Sequence, residues 1–154
     1  MPRLQQKIFL NIYLLLSRIW LGYSMIMGGQ SILHFFSSKE SRDFFENWFG
    51  KELGLPAPLL MAVLAKGTEF FGGILILVGL FTRISASLVA IVMGVATLVA
   101  NLSYHGNDNF IKQDGLITIS CFLFAVLLII TGAGKYSLDT VFFSSKLKPL
   151  TREQ

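Results

Sequence analysis

Three ionisable side chains lie in otherwise apolar stretches of the sequence and are the strongest candidates for chemistry. Arg18 lies in an apolar run over residues 8–36, and Lys66 and Glu69 lie in another over residues 59–81. An ionised group inside a bilayer is costly, usually faces the protein interior and is a functional hypothesis by default. Two cations beside one carboxylate carry a formal charge of +1, which favours an anionic or electron-rich ligand such as a quinone oxygen.

The spacing of these charges indicates which of them could meet. If the first span begins near residue 10 and the second near residue 59, a rise of about 1.5 Å per residue brings Arg18 and Glu69 to similar heights. An Arg18–Glu69 ion pair is therefore geometrically allowed, and Lys66 lies on the same helical face as Glu69. Three interpretations remain open: the charges fix the helix register, they bind a ligand, or Lys66 extends to lipid headgroups.

A later apolar stretch adds polar residues along one stripe. Thr97, Asn101 and His105 recur every four residues, and Tyr104 lies beside them. We expect Asn101 and Tyr104 to line a pocket that opens outward between the first three spans, which adds them to the three charges as candidate ligand-binding residues. His34 and His105 have no metal-ligand spacing, so we expect no metal site.

Motifs that would identify an enzyme are missing from the sequence. It contains no nucleophile triad, phosphate-binding loop, dinucleotide fingerprint or haem-attachment motif. The single cysteine, Cys121, cannot form a dithiol within the chain, and we interpret it as a small apolar filler. The sequence alone therefore identifies no catalytic residue and no built-in cofactor, and it leaves open whether the protein is an enzyme.

The composition indicates the environment in which these residues lie. Of 154 residues, 53% are hydrophobic and 14% are charged, whereas soluble domains carry about 25% charged residues. A soluble enzyme, a disordered chain and a disulfide-stapled domain are therefore excluded. We predict one membrane domain over residues 1–154, with the lipid bilayer as its surroundings.

Four apolar stretches are long enough to cross a bilayer, which takes about 20 residues. The predicted spans are about 10–34, 59–81, 84–105 and 115–134. The glycine-containing turn at residues 79–83 is too short for anything except an antiparallel helical hairpin. The predicted fold is an all-α integral membrane four-helix bundle, in which small residues at helical spacing allow the helices to approach closely.

The longest connection, over residues 37–58, has its own pattern. Phe44, Phe45, Trp48 and Phe49 recur at helical spacing with charged residues between them. This pattern is typical of a short interfacial amphipathic helix, here between helices 1 and 2. The alternative is a mobile loop.

The distribution of Lys and Arg predicts the orientation. The side that holds both termini and the turn at residues 79–83 carries seven cations, and the other side carries four cations against six anions. We predict a multi-pass protein with both termini in the cytoplasm. Because the basic balance reflects this asymmetry, nucleic-acid binding has little support.

Several short motifs follow one another along the chain. They are Arg18 with Gly22 and Gly28-Gly29-Gln30, then Glu69-Phe-Phe-Gly72-Gly73, Gly79-Leu-Phe-Thr82-Arg83 and Gly132-Ala-Gly134-Lys-Tyr-Ser137-Leu-Asp139. Their order and spacing resemble the DoxX family over about residues 12–140. Many members carry His-Gly and a nearby Lys at the end of the first span, where this chain has Met27-Gly28-Gly29-Gln30-Ser31, so no specific reaction is carried over.

The resemblance implies a four-helix protein of the bacterial cytoplasmic (inner) membrane, in a family linked to redox chemistry. Relatives include the small subunit of a thiosulfate:quinone oxidoreductase. The family's Arg in span 1 and Glu in span 2 match Arg18 and Glu69. We therefore expect a membrane component of a redox or quinone-linked system, with a quinone as ligand and a redox subunit or a second copy as protein partner. The alternative is a carrier or an assembly subunit whose charges fix helix register.

Overall fold

A computed structural model of the chain describes residues 3–103 and 114–144. Within these ranges every regular element is helical, which confirms the all-α prediction for this part of the chain. The elements are α1 (Arg3–Gly29), α2 (Ser31–Phe35), α3 (Lys39–Asn47), a π-helical turn (Trp48–Glu52), α4 (Pro58–Val78), α5 (Thr82–Ser103), α6 (Asp114–Thr131) and α7 (Leu138–Ser144).

The four long helices pack in the order α1, α4, α5 and α6, and α6 also contacts α1. Their shared core includes the fully buried side chains of Leu21, Ile76, Val89 and Leu128. The segments Gln5–Phe35 and Pro58–Val78 are long and apolar enough to cross a membrane, while Thr82–Leu98 and Leu116–Thr131 are apolar but shorter. Two of the four predicted spans thus meet the length criterion in the described residues.

The outer surface of these helices is also apolar. Many large hydrophobic side chains point away from the core, among them Phe9, Ile91, Leu123 and Ile130. A monomeric protein in water rarely exposes such contiguous apolar surface, whereas lipid chains are favourable neighbours for it. Apolar side chains on the outer surface of helices are typical of a membrane protein.

The turn between α4 and α5 confirms the predicted antiparallel hairpin. Gly79 has a φ of 73°, in the left-handed region that favours glycine. Its N–H donates to the carbonyl of Ile76 at 3.1 Å, and Leu80 N–H donates to the carbonyl of Leu75 at 2.9 Å. This pair of bonds is a Schellman motif, which ends α4 and turns the chain into α5.

The predicted helix between helices 1 and 2 is present as α3, so the loop alternative is wrong. Ser38 caps its start by accepting a hydrogen bond from Ser41 N–H at 3.4 Å. Phe45 and Phe49 are buried against α2 and α4, whereas Phe44 is exposed. The charged residues Arg42, Asp43 and Glu46 are exposed while Phe45 faces inward, so α3 is amphipathic, as its sequence pattern predicts.

Glycines bring α1 and α4 unusually close. A Cβ on Gly22 would lie 2.9 Å from the carbonyl oxygen of Gly73, and a Cβ on Gly29 would lie 2.4 Å from the backbone nitrogen of Phe70. Neither position has room for a side chain without movement of a backbone. The predicted role of these glycines as a helix contact surface is confirmed.

Replacement of Gly29 tests this contact. Gly29→Ala should lower the free energy of unfolding by about 1–3 kcal/mol, because the added methyl group must push the two helix backbones apart. The matched control is Gly67→Ala, since nothing lies within 4 Å of a Cβ at Gly67. Thermal unfolding followed by circular dichroism in detergent measures both; equal stability of the two variants would contradict the contact.

Candidate functional site

The predicted same-face relation of Lys66 and Glu69 is confirmed in α4. Lys66 Nζ lies 2.8 Å from Glu69 Oε2, and the two side chains are 18% and 8% exposed. Lys66 Nζ also donates to the carbonyl oxygen of Gly28 at 3.3 Å. Gly28 belongs to the last turn of α1, where helix carbonyls lack intrahelical partners. The ion pair therefore also bridges α4 and α1.

Glu69 lies on the inner side of α4. A Cβ on Gly28 would lie 3.2 Å from Glu69 Oε2, so the carboxylate contacts α1 directly. The carboxylate thus lies where α4 packs against α1. Cys121 of α6 is fully buried in the hydrophobic core, as predicted.

Arg18 does not pair with Glu69, which corrects the sequence-based expectation. Its guanidinium is buried, with the residue 2% exposed, and its hydrogen bonds go to main-chain carbonyls. Nε donates to Ile76 at 3.2 Å and Nη2 to Leu77 at 3.3 Å, while Nη1 donates to Ala133 at 2.8 Å and to Tyr136 at 2.7 Å.

The register of α1 against α4 explains this difference. Because Gly28 is opposite Glu69, Arg18 lies ten residues earlier along α1, or about 15 Å away along the helix axis. The expectation of equal heights for Arg18 and Glu69 was wrong, because the register of α1 against α4 differs from the one assumed. Arg18 therefore lies beside the end of α4 rather than beside its middle.

Asp139 completes the group of residues around Arg18. Its Oδ1 accepts from Phe81 N–H at 2.7 Å and its Oδ2 from Thr82 N–H at 2.9 Å, while its own N–H donates to the carbonyl of Gly79 at 2.8 Å. The carboxylate caps the start of α5, and Gly79, which accepts the bond from Asp139 N–H, lies directly against the Arg18 guanidinium. We name Arg18, Asp139 and the main-chain groups that they bind the terminal clamp.

Sequence reasoning missed Asp139. Its partners lie 57 and 58 residues earlier, a separation that no local pattern reveals. The only signal was its place in the last motif of the family resemblance. The terminal clamp joins that motif to Arg18 and to the Gly79–Arg83 motif.

The position of the two remaining candidate residues, Asn101 and Tyr104, relative to the Lys66–Glu69 ion pair stays a prediction. Asn101 belongs to the last turn of α5, but its side chain and all of Tyr104 lie outside the described residues, so the pocket that they were expected to line stays a prediction. Two described surface grooves, one between α4 and α5 and one between α2 and α3, are not lined by Arg18, Lys66 or Glu69. Within residues 3–103 and 114–144, no three His, Cys, Asp or Glu side chains cluster as a metal site would require.

Because Arg18 lies elsewhere, the net charge of the candidate site differs from the one that the sequence predicted. The Lys66–Glu69 pair has no net charge, whereas the expected trio carried a charge of +1. A small anion therefore loses its electrostatic advantage. A neutral ligand with a hydrogen-bond acceptor suits the pair better, because Lys66 can donate to it.

Comparison with known proteins gives one match. A family model described as DoxX matches residues 13–102, which is more than half of the chain. No curated protein matches the chain, and neither does any solved structure. The matched segment includes Arg18, Lys66 and Glu69 and ends before Asp139.

The terminal clamp predicts different roles for the two buried cations. Arg18→Met should lower the free energy of unfolding by at least about 3 kcal/mol, because it leaves several buried carbonyls without a donor. Lys66→Met should cost less, since Lys66 is partly exposed, and Arg18→Lys should restore only part of the loss because an ammonium lacks the guanidinium fork. Unfolding by sodium dodecyl sulfate, followed by circular dichroism, measures all three; equal losses for Arg18→Met and Lys66→Met would contradict the clamp.

Proposed function

The chain belongs to the DoxX family, and on that basis we propose that it is a four-span protein of the bacterial cytoplasmic membrane. The outward apolar side chains of all four long helices support this proposal. The α4–α5 hairpin and the contacts of α6 with α1 and α5 support four antiparallel crossings. The apolar segments of α5 and α6, Thr82–Leu98 and Leu116–Thr131, are shorter and would cross with the help of their flanking residues.

The proposed orientation places both termini in the cytoplasm. Lys7, Arg83 and Lys135 are exposed at the end of the molecule that holds the α4–α5 turn, while α2 and α3 lie at the opposite end. An excess of Lys and Arg is typical of cytoplasmic loops. This supports an outward position for α3, with its exposed aromatic side chains at the membrane interface.

For the biochemical role, we propose a membrane component of a redox or quinone-linked system. The observation that carries the proposal is the Lys66–Glu69 pair, which lies half-way along α4 and remains partly exposed. A quinone carbonyl could take the place of the Gly28 carbonyl, whose bond to Lys66 is long at 3.3 Å. Lys66 would then stabilise the negative charge that develops on reduction, and Glu69 would hold Lys66 in place.

This role requires an electron donor, for which the sequence provides no cofactor motif. A soluble redox subunit that docks on the protein would supply the electrons, and a homo-oligomer is the other arrangement that we consider. Arg18 is not part of the proposed site, since its hydrogen bonds to four carbonyls occupy most of its donors.

A second candidate function is that of an assembly subunit or carrier whose charges fix helix register. The terminal clamp favours it, because Arg18 there serves the fold alone. The Lys66 bond to Gly28 also joins two helices. In this case Lys66 and Glu69 would contribute to stability and would bind no ligand.

Cysteine labelling tests the orientation. In a Cys121→Ala background, Lys51→Cys should react in intact cells with a membrane-impermeant maleimide, and Lys135→Cys should react only after the membrane is opened. Both lysines are exposed, and Cys121 is buried. The reverse pattern would overturn the orientation, and reaction of both in intact cells would overturn the proposed topology.

Quinone binding tests the site. A decyl-substituted benzoquinone should bind saturably to the detergent-purified protein, and Glu69→Gln or Lys66→Met should weaken binding about tenfold or more, as expected for hydrogen bonds to charged groups. The control is Lys135→Met, an exposed cation outside the long helices. Helicity and monodispersity are checked for each variant.

The alternatives give different results in the same experiment. Unchanged binding in both folded variants, or no binding to the wild-type protein, would rule out a quinone at the ion pair. Loss of folding in both variants, without any wild-type binding, would assign the pair to the scaffold.

A further inference from the structure

A surface groove of about 300 Å³ lies between α4 and α5, on the outer side of the helices. Its volume is at the lower end of the range for small-molecule sites. Leu64, Phe71 and Leu88 form apolar walls, and Thr68 and Ser85 add two hydroxyl groups. The Lys66–Glu69 pair does not line this groove.

The groove exists because α4 and α5 diverge. At Gly72 the helices are close, since a Cβ there would lie 3.1 Å from Val89 Cγ2. At Gly67, five residues earlier, a Cβ would meet nothing within 4 Å. Gly67 therefore leaves the groove open where a side chain would fill it.

Ser85 contributes a buried hydroxyl group to the wall of the groove. Ser85 is only 2% exposed, yet it lines the groove, and its hydroxyl has no hydrogen bond to any residue in the described ranges. Other helical hydroxyls, those of Ser17 and Ser87, donate to the carbonyl four residues earlier. Because an unbonded hydroxyl in apolar surroundings is costly, Ser85 offers a donor to a ligand.

The depth and width of the groove favour a lipid over a helix. A helix with its side chains is about 10 Å wide and is too thick to reach a serine that is almost fully buried; its backbone carbonyls are also already engaged. Ser85 is the fourth residue of α5, about 5 Å along the axis from the helix start. In a membrane-spanning α5 this is the level just below the lipid headgroups, where ester carbonyls lie.

We propose that this groove binds one glycerolipid molecule. Its ester carbonyl accepts a hydrogen bond from Ser85 Oγ, and its acyl chain lies along Leu88 and Phe71 toward Gly67. The inference depends on the membrane location of the protein and is independent of the redox role and of the Lys66–Glu69 pair.

Native mass spectrometry with two lipids tests the proposal. Dioleoyl phosphatidylglycerol carries ester carbonyls, and its dialkyl ether analogue lacks them. The wild-type protein should retain one molecule of the ester lipid per chain, with a preference over the ether lipid of about fivefold to tenfold, as expected for one buried hydrogen bond. Ser85→Ala should bind both lipids equally.

Three further variants locate the lipid. Thr68→Val removes a hydroxyl deeper in the same groove and should leave the ester preference unchanged, because the acyl chain lies there. Gly67→Leu fills the groove and should lower the retention of both lipids at least tenfold. Gly67→Ala is its control and should retain the lipid, since one methyl group occupies little of the groove.

Several results would overturn the proposal. These are equal retention of ester and ether lipids by the wild-type protein, full retention by folded Gly67→Leu, and loss of the ester preference in Thr68→Val. If Gly67→Leu instead converts a dimer into a monomer with unchanged lipid retention, the groove is an interface between two copies of the chain. Should Gly67→Leu fail to fold, the ester and ether comparison in Ser85→Ala still decides the question.

Discussion

The arrangement of the helices depends on the buried guanidinium of Arg18, which donates to carbonyls at the end of α4 and in the segment between α6 and α7. In apolar surroundings a main-chain carbonyl without a helical partner has no water to bind, so it needs a donor from the protein. One planar group with five N–H donors can serve two segments of the chain at once. The end of α4 and the segment that follows α6 must therefore meet at the same point on α1, which restricts the positions of α4 and α6 relative to α1.

The same constraint explains why the turn after α4 has a glycine. A Cβ on Gly79 would lie 2.5 Å from Arg18 Nη2, so Gly79 is required both for its left-handed φ and for the space that Arg18 occupies. Asp139 accepts hydrogen bonds from the N–H groups of Phe81 and Thr82, at the start of α5, where N–H groups have no intrahelical acceptor. The terminal clamp thus supplies donors to carbonyls at the end of α4 and beyond α6, and acceptors to the amino end of α5.

Features with a local signature could be predicted from the sequence, and features that depend on register could not. The helical pattern of Phe44, Phe45 and Phe49 predicted α3, and the three-residue spacing of Lys66 and Glu69 predicted that they share one face of a helix. Arg18 was assigned to the wrong partner because its true partners are backbone carbonyls, which every residue carries and no sequence pattern marks. The prediction also assumed a relative height for the first two spans that brought Arg18 beside Glu69, whereas Gly28 lies opposite Glu69 in the structure.

The separation of the two charged groups determines what Lys66 and Glu69 can do. Arg18 is bound by carbonyl oxygens and lies about 15 Å from Glu69 along the helix axis, so it does not belong to the pair half-way along α4. A completely enclosed ion pair would carry the full desolvation cost of both charges. Lys66 instead keeps 18% of its side chain exposed and completes its hydrogen bonding with a long bond to Gly28. A cation with one strong partner and one weak partner can exchange the weak one for a ligand carbonyl while the ion pair stays intact, so binding there does not require a buried charge to lose its counter-ion.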